Sequence, residues 1–143
     1  ASARIAEDYL RILRFFRFTA RFADAPDEAG LAACAIARTG LQRLARERVW
    51  MELSKILTLS LPARALQPMH DSAVLDELLP GVAHIGRLQR FADYEHDHRT
   101  RPAPTVHAAL RLAALTDAGA PVLENALRLS NRELAWLQVA RLS

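Results

Sequence analysis

The sequence predicts an all-α fold, an irregular multi-helix bundle, on three observations. Its 143 residues include 27 Ala and 23 Leu but only 17 Val, Ile and Thr together. Ala and Leu lose little freedom in a helix, whereas sheets favour the β-branched residues that are scarce here. Apolar residues recur at helical spacing, as in Val49, Trp50, Leu53, Ile56 and Leu57. Breaking pairs such as Thr39-Gly40 and Pro80-Gly81 fall between these runs. An all-β protein, a disulfide scaffold and a wholly disordered chain are excluded by this composition.

The elements follow in chain order. Arg4 to Phe22 holds no Pro or Gly and predicts one long helix. Asp27 is placed to cap a second, Glu28 to Arg38, which Thr39-Gly40 ends. Arg46 to Ser60 is the most strongly amphipathic stretch. Leu61-Pro62 predicts the start of a short helix to about Met69, and Ser72 the cap of another, Ala73 to Leu79. Val82 to Tyr94 is expected to be helical despite Gly86. The polar run 95–104 is the expected linker, dividing a region 1–94 from a terminal cluster 105–143. In that cluster Thr105–Thr116, Val122–Arg128 and Arg132–Leu142 are expected to be helical, the last opened by a Ser130/Glu133 capping box.

Charge is unevenly spread. Residues 1–64 hold 11 basic against 7 acidic side chains, and residues 65–143 hold 8 against 9. The basic half is where a polyanion is expected to sit, although an ordinary mildly basic surface accounts for the charge equally well. A single cysteine, Cys34, forms no internal disulfide and is expected to be a small core residue. No apolar run approaches a membrane span and no signal peptide is visible, so a cytoplasmic protein is expected. The chain opens without Met inside an expected helix, as a piece of a longer protein does.

Plotting the first helix at 100° per residue separates its faces. Ile5, Tyr9, Ile12, Leu13, Phe16 and Ala20 share a broad apolar face. Arg4, Glu7, Asp8, Arg11 and Arg14 lie opposite, with Arg17 and Arg21 at the edge and Phe15, Phe18 and Phe22 among them. Aromatic rings on the polar side are expected either to meet another domain or to wall a ligand site. Asp8 and Arg11, three residues apart, point the same way. The plain alternative is a surface ion pair of at most about 0.5 kcal/mol. The sharper reading pairs a carboxylate acceptor with guanidinium donors, which together match the pairing edge of adenine or cytosine. Guanine and uracil present a carbonyl where that exocyclic amine would be, leaving Asp8 opposite a second acceptor.

The run Glu7-Asp8-Tyr9-Leu10-Arg11-Ile12-Leu13-Arg14-Phe15-Phe16-Arg17-Phe18 resembles the nucleotide-selecting segment of bacterial poly(A) polymerases and class II CCA-adding tRNA nucleotidyltransferases. Arg46-Glu47-Arg48-Val49-Trp50-Met51-Glu52-Leu53-Ser54-Lys55-Ile56-Leu57 resembles the motif that follows in that family. The likeness covers about residues 4–82, with Ala45 where the family usually has a capping Ser. It implies helices of the family's neck-and-body type, without the catalytic β-sheet head. By this resemblance Asp8 and Arg11 pair with the base of ATP or CTP, and Arg14 and Arg17 support that site or approach phosphate. Glu7 belongs to the same motif, while Arg46, Arg48 and Glu52 buttress the first helix near the RNA end. The implied partners are ATP or CTP, the 3′ end of a tRNA or mRNA, and an N-terminal catalytic head holding Mg. No catalytic or metal-binding residue and no cofactor is expected within these 143 residues, no membrane is an expected partner, and this chain alone is expected to be inactive.

Other constellations are weaker. His96-Asp97-His98 has metal-ligand spacing but sits in an expected solvated loop. His70-Asp71 resembles the paired ligands of HD-type phosphohydrolases, yet no His precedes it. Trp50 and Trp136 read as core residues of amphipathic helices. The rival function is a helical protein-interaction module without an RNA role.

Overall fold

A long helix, α1 (Ser2–Phe22), lies against a bundle of shorter ones in the computed structural model, which describes residues 2–22, 27–98 and 104–142. The connection 23–26 ahead of the second helix, the segment 99–103 and the side chains of Arg4, Ile5 and Phe22 lie outside the described residues. The order continues α2 (Glu28–Ala37), a 3-10 helix (Arg38–Arg43), α3 (Arg46–Leu57), α4 (Ala63–Asp71) and α5 (Val74–Leu78). Then come α6 (Ile85–Asp97), α7 (Pro104–Leu115), α8 (Ala120–Ala126) and α9 (Asn131–Leu142). Among the described residues the only strand-like pairing is an isolated bridge between Ala83 and Thr116. The fold is all-α.

α1 packs against α3, α4 and the 3-10 helix, while α7 packs against α9, α6 and α3. The buried stripe of α1 is Leu10, Ile12, Leu13, Phe16 and Ala20, which keeps four residues of the expected apolar face, adds Leu10 and leaves Tyr9 half-buried. A single hydrophobic cluster runs from Leu10 through Leu53, Met69 and Leu88 to Leu112 and Leu137. The core is therefore continuous from one side of the expected 95–104 linker to the other. Moreover, α6 runs on to Asp97, so the first residues of that polar run are helical and Glu95 is buried. Polar composition concealed an inward-facing charge.

Local signals account for several boundaries. Asp27 accepts a hydrogen bond from the Gly30 amide (2.9 Å) and caps α2. Ser130 and Glu133 form the expected reciprocal box, with backbone-to-side-chain distances of 2.8 and 3.1 Å. Ala45 provides no side-chain cap for α3, which nevertheless starts at Arg46. Ser72 departs from expectation. Its hydroxyl donates to the Met69 carbonyl (3.2 Å) and closes α4, while Ala73 opens α5 in the left-handed region at φ 64°. Thr39-Gly40 likewise does not stop the chain from coiling, because the 3-10 helix carries it to Arg43.

Candidate functional site

A cleft of about 410 Å³ opens between α1 and α2, lined by Asp8, Tyr9, Arg11, Ile12, Phe15, Ala33, Cys34 and Ala37. Two glycines set its walls. A Cβ on Gly40 would overlap the Tyr9 ring, and one on Gly30 would come within 2.7 Å of the Phe15 ring. Backbone from α2 and the 3-10 helix thus approaches both rings more closely than a residue with a Cβ could without the ring shifting. Phe15 also meets Phe16 edge-on at 5.3 Å, which ties the cleft wall to the core. Cys34 is buried beside this wall, and desolvation raises its thiol pKa, favouring the uncharged form.

Asp8 and Arg11 stand at the rim of the cleft, with Nη1 and Oδ1 3.9 Å apart. That is too long for a hydrogen bond. Their side chains are 57% and 79% exposed. The carboxylate and guanidinium face one opening without consuming each other's hydrogen-bonding capacity. Phe15 supplies the apolar wall expected of a ring on the polar side, whereas Phe18 is 65% exposed outside the cleft.

The remaining charges of α1 are arranged differently. Glu52, buried on α3, receives Arg14 Nε at 3.0 Å and lies 3.2 Å from Arg17 Nη1 in a poorly angled ion pair. Arg14 Nη1 also donates to Glu7 (3.2 Å), and Arg48 donates to the other Glu7 oxygen (3.4 Å). The hydrogen bond to Glu52 raises the Arg14 pKa, outweighing desolvation, so its charge is fixed. Glu7, Arg14, Arg17, Arg48 and Glu52 therefore form one network that clamps α1 to α3. Arg14 does not line the cleft; it points instead into this clamp.

Arg46 is the exception in the second motif. Its Nη1 donates to the Glu124 carbonyl (2.6 Å) at the end of α8, not to α1. Arg46 therefore ties the start of α3 to α8, while Arg48, two residues on, reaches α1. Trp50, four residues on, is a core residue whose indole N–H donates to Glu133 (2.8 Å). Glu133 thus completes the α9 cap and anchors α3 together.

Sequence reasoning missed a buried charge cluster farther on. Arg111 on α7 donates to Glu95 (3.0 Å) and to the carbonyls of Leu57 and Leu59 (2.7 and 2.6 Å), which it caps at the end of α3. His107 Nε2 lies 3.1 Å from the same Glu95 oxygen. The only available signal was an Arg in a run of Ala and Leu, which a lipid-like face does not need. His96 and His98 are at the end of α6 rather than in a loop, and the His98 ring stacks on Tyr94. His70 and Asp71 form only an exposed contact at 3.7 Å. Among the described residues no three His, Cys, Asp or Glu side chains converge to hold a metal, and the three buried carboxylates already serve Arg, His or Trp donors. No described helix is long and apolar enough to cross a membrane.

Fold and cleft together define an all-helical module whose long helix presents an open, charge-rimmed pocket. Comparison with known proteins gives the particular family. Residues 27–85 match the family model described as "Probable RNA and SrmB- binding site of polymerase A". The multifunctional CCA protein of Dechloromonas aromatica (strain RCB) is 40% identical over 92 residues, 62% of this chain and 22% of that protein. The mitochondrial CCA tRNA nucleotidyltransferase 1 of Mus musculus is 42% identical over 96 residues, 64% of this chain and 22% of that protein. The multifunctional CCA protein of Leptothrix cholodnii is 34% identical over 121 residues, 82% of this chain and 27% of that protein. No solved structure matches the chain significantly. Over the matched residues the chain is similar to the poly(A) polymerase and CCA-adding tRNA nucleotidyltransferase family, and it spans about a quarter of the length of these relatives.

Proposed function

We propose that this chain is the base-selecting and RNA-binding part of a template-independent nucleotidyltransferase that adds AMP or CMP to RNA 3′ ends. The observation that carries the base-selecting role is the loose Asp8–Arg11 pair at the mouth of the cleft. Asp8 accepts a hydrogen bond from the exocyclic amine of adenine or cytosine, and Arg11 donates to the neighbouring ring nitrogen or carbonyl. The Phe15 and Tyr9 rings flank the base, and the Glu52 clamp holds α1 in register with α3. No template is needed, because the protein itself supplies the complementary edge.

The RNA-binding role is supported by the match over residues 27–85 and by the excess of basic side chains in residues 1–64. Phosphoryl transfer belongs to a catalytic head outside these residues, and the chain by itself extends no RNA. Two measurements test this reading. Affinity for labelled tRNA is expected to fall steeply with salt, as counterion release requires, whereas a protein-interaction module would show no such binding. ATP and CTP are expected to shift the amide NMR signals of Asp8 and Arg11 at lower concentration than GTP and UTP. Equal response to all four nucleotides defeats the base-selecting role and leaves the RNA role standing.

A further inference from the structure

The end of α6 carries an arrangement unrelated to the cleft. Tyr94 and His98, one turn apart, stack face to face with centroids 3.9 Å apart and planes inclined by 22°. The His98 Nδ1 lies 2.9 Å from the Tyr94 carbonyl, which fixes the imidazole over the phenol. Both side chains are exposed, Tyr94 by 57%. One turn earlier on the same stripe, exposed Arg90 makes no ion pair among the described residues and leans back over Gly86, 3.4 Å from where a Cβ would sit. Successive members of this stripe are spaced about 6 Å along the axis. Neighbouring Asp93 is turned to Gln89 (2.9 Å), while Asp97 is exposed at the helix end.

We propose that Tyr94 and His98 form a stacking platform for an unpaired RNA base, with Arg90 holding an adjacent phosphate. The proposal rests on the RNA-binding reading above and extends it past residue 85, where the matched segment ends and α6 begins. An exposed aromatic pair offers a π-face that any base can cover, and the Arg90 guanidinium, set back over Gly86 toward the start of the helix, complements the backbone of the neighbouring nucleotide. Asp97 repels phosphate from the helix end, so the strand's backbone runs on the Arg90 side. The occupant is single-stranded, because a duplex buries the faces of its bases within its own stack. Of the His-Asp-His run, His98 is thereby assigned to stacking.

The test measures binding of the 143-residue chain to a labelled 12-nucleotide single-stranded RNA and to an RNA duplex, over a range of salt. Tyr94→Ala and His98→Ala are expected to weaken single-strand binding roughly tenfold with an unchanged salt slope. Tyr94→Phe, which keeps the ring, should bind as the unchanged chain does. Arg90→Ala should weaken binding and reduce the magnitude of the salt slope by about one. Duplex binding should not respond to either ring substitution. Wild-type single-strand affinity in both ring variants, or equal losses for the duplex, overturns the platform while leaving the broader RNA role intact. Absence of RNA binding by the unchanged chain overturns both. His98 lies outside the hydrophobic core, so its variant remains informative even if Tyr94→Ala melts early.

Discussion

Two carboxylate–arginine groups that use arginines of α1 differ in almost everything except their chemistry. Glu52 is 1% exposed and draws Arg14 to 3.0 Å, with Arg17 at 3.2 Å. Asp8 is 57% exposed and stands 3.9 Å from Arg11. Burial explains the contrast. A desolvated carboxylate must keep cations within reach, so its arginines are committed to structure. A solvated one keeps water as an alternative partner, so a ligand can displace that water at little cost. The same helix thus has a structural charge face and the exposed face proposed above for base recognition, and exposure distinguishes them where residue type does not.

A third group, Glu95 with Arg111, takes the buried case further, since both side chains are 6% exposed. Arg111→Ala is expected to have the largest effect on stability, about 3–5 kcal/mol, because it leaves the buried Glu95 carboxylate with only His107 beside it and the Leu57 and Leu59 carbonyls without their donor. Urea unfolding measures it. A loss below about 1 kcal/mol would mean that water enters the site and that burial does not set the ranking.

Glu52→Ala comes next, at about 2–4 kcal/mol. It falls short of the Arg111 value because Arg14 is 41% exposed and can return to water when its partner is lost. Thermal melts should therefore place this variant between Arg111→Ala and any change at Asp8. Because the clamp also sets the position of α1, selective nucleotide binding should weaken along with stability.

Much of this was legible where interactions are local. The 3.6-residue period identified the buried stripe of α1, and a three-residue spacing revealed both the Ser130–Glu133 box and the Asp8–Arg11 pair. The Glu52 clamp was legible only through family resemblance, since Arg14 and Glu52 are 38 residues apart. Nothing local tells Glu95 from a solvated linker residue; its environment is supplied by α7, past a stretch rich in polar residues and Pro. Arg46 shows the same limit. Its helix was foreseen, but the surface it would meet depended on where α8 folds back. Long-range pairing, not secondary structure, was the missing information.

Gly40→Ala tests the cleft wall without touching a charge. Its Cβ would overlap the Tyr9 ring, and such overpacking costs about 1–3 kcal/mol. Movement of Tyr9 should narrow the cleft and weaken nucleotide binding. A variant that melts and binds like the unchanged chain would show that Tyr9 swings aside freely and takes no part in holding the base.

Asp8→Ala and Arg11→Ala should have the smallest effect on stability, within about 0.5 kcal/mol, since an exposed pair gains little from its mutual attraction. Their effect on binding should nevertheless be distinct and asymmetric. Arg11→Ala removes the donors used by both accepted bases, so ATP and CTP should each bind more weakly by about 1–3 kcal/mol. Asp8→Ala removes the acceptor that faces the exocyclic amine, and with it the acceptor–acceptor clash that excludes guanine and uracil. Discrimination against GTP and UTP should then narrow even where affinity for ATP changes little. Titrations with all four nucleotides, alongside melts, separate the two effects. If both variants melt normally and retain the unchanged preference, the pair is an ordinary surface contact, and the contrast with Glu52 reflects burial alone.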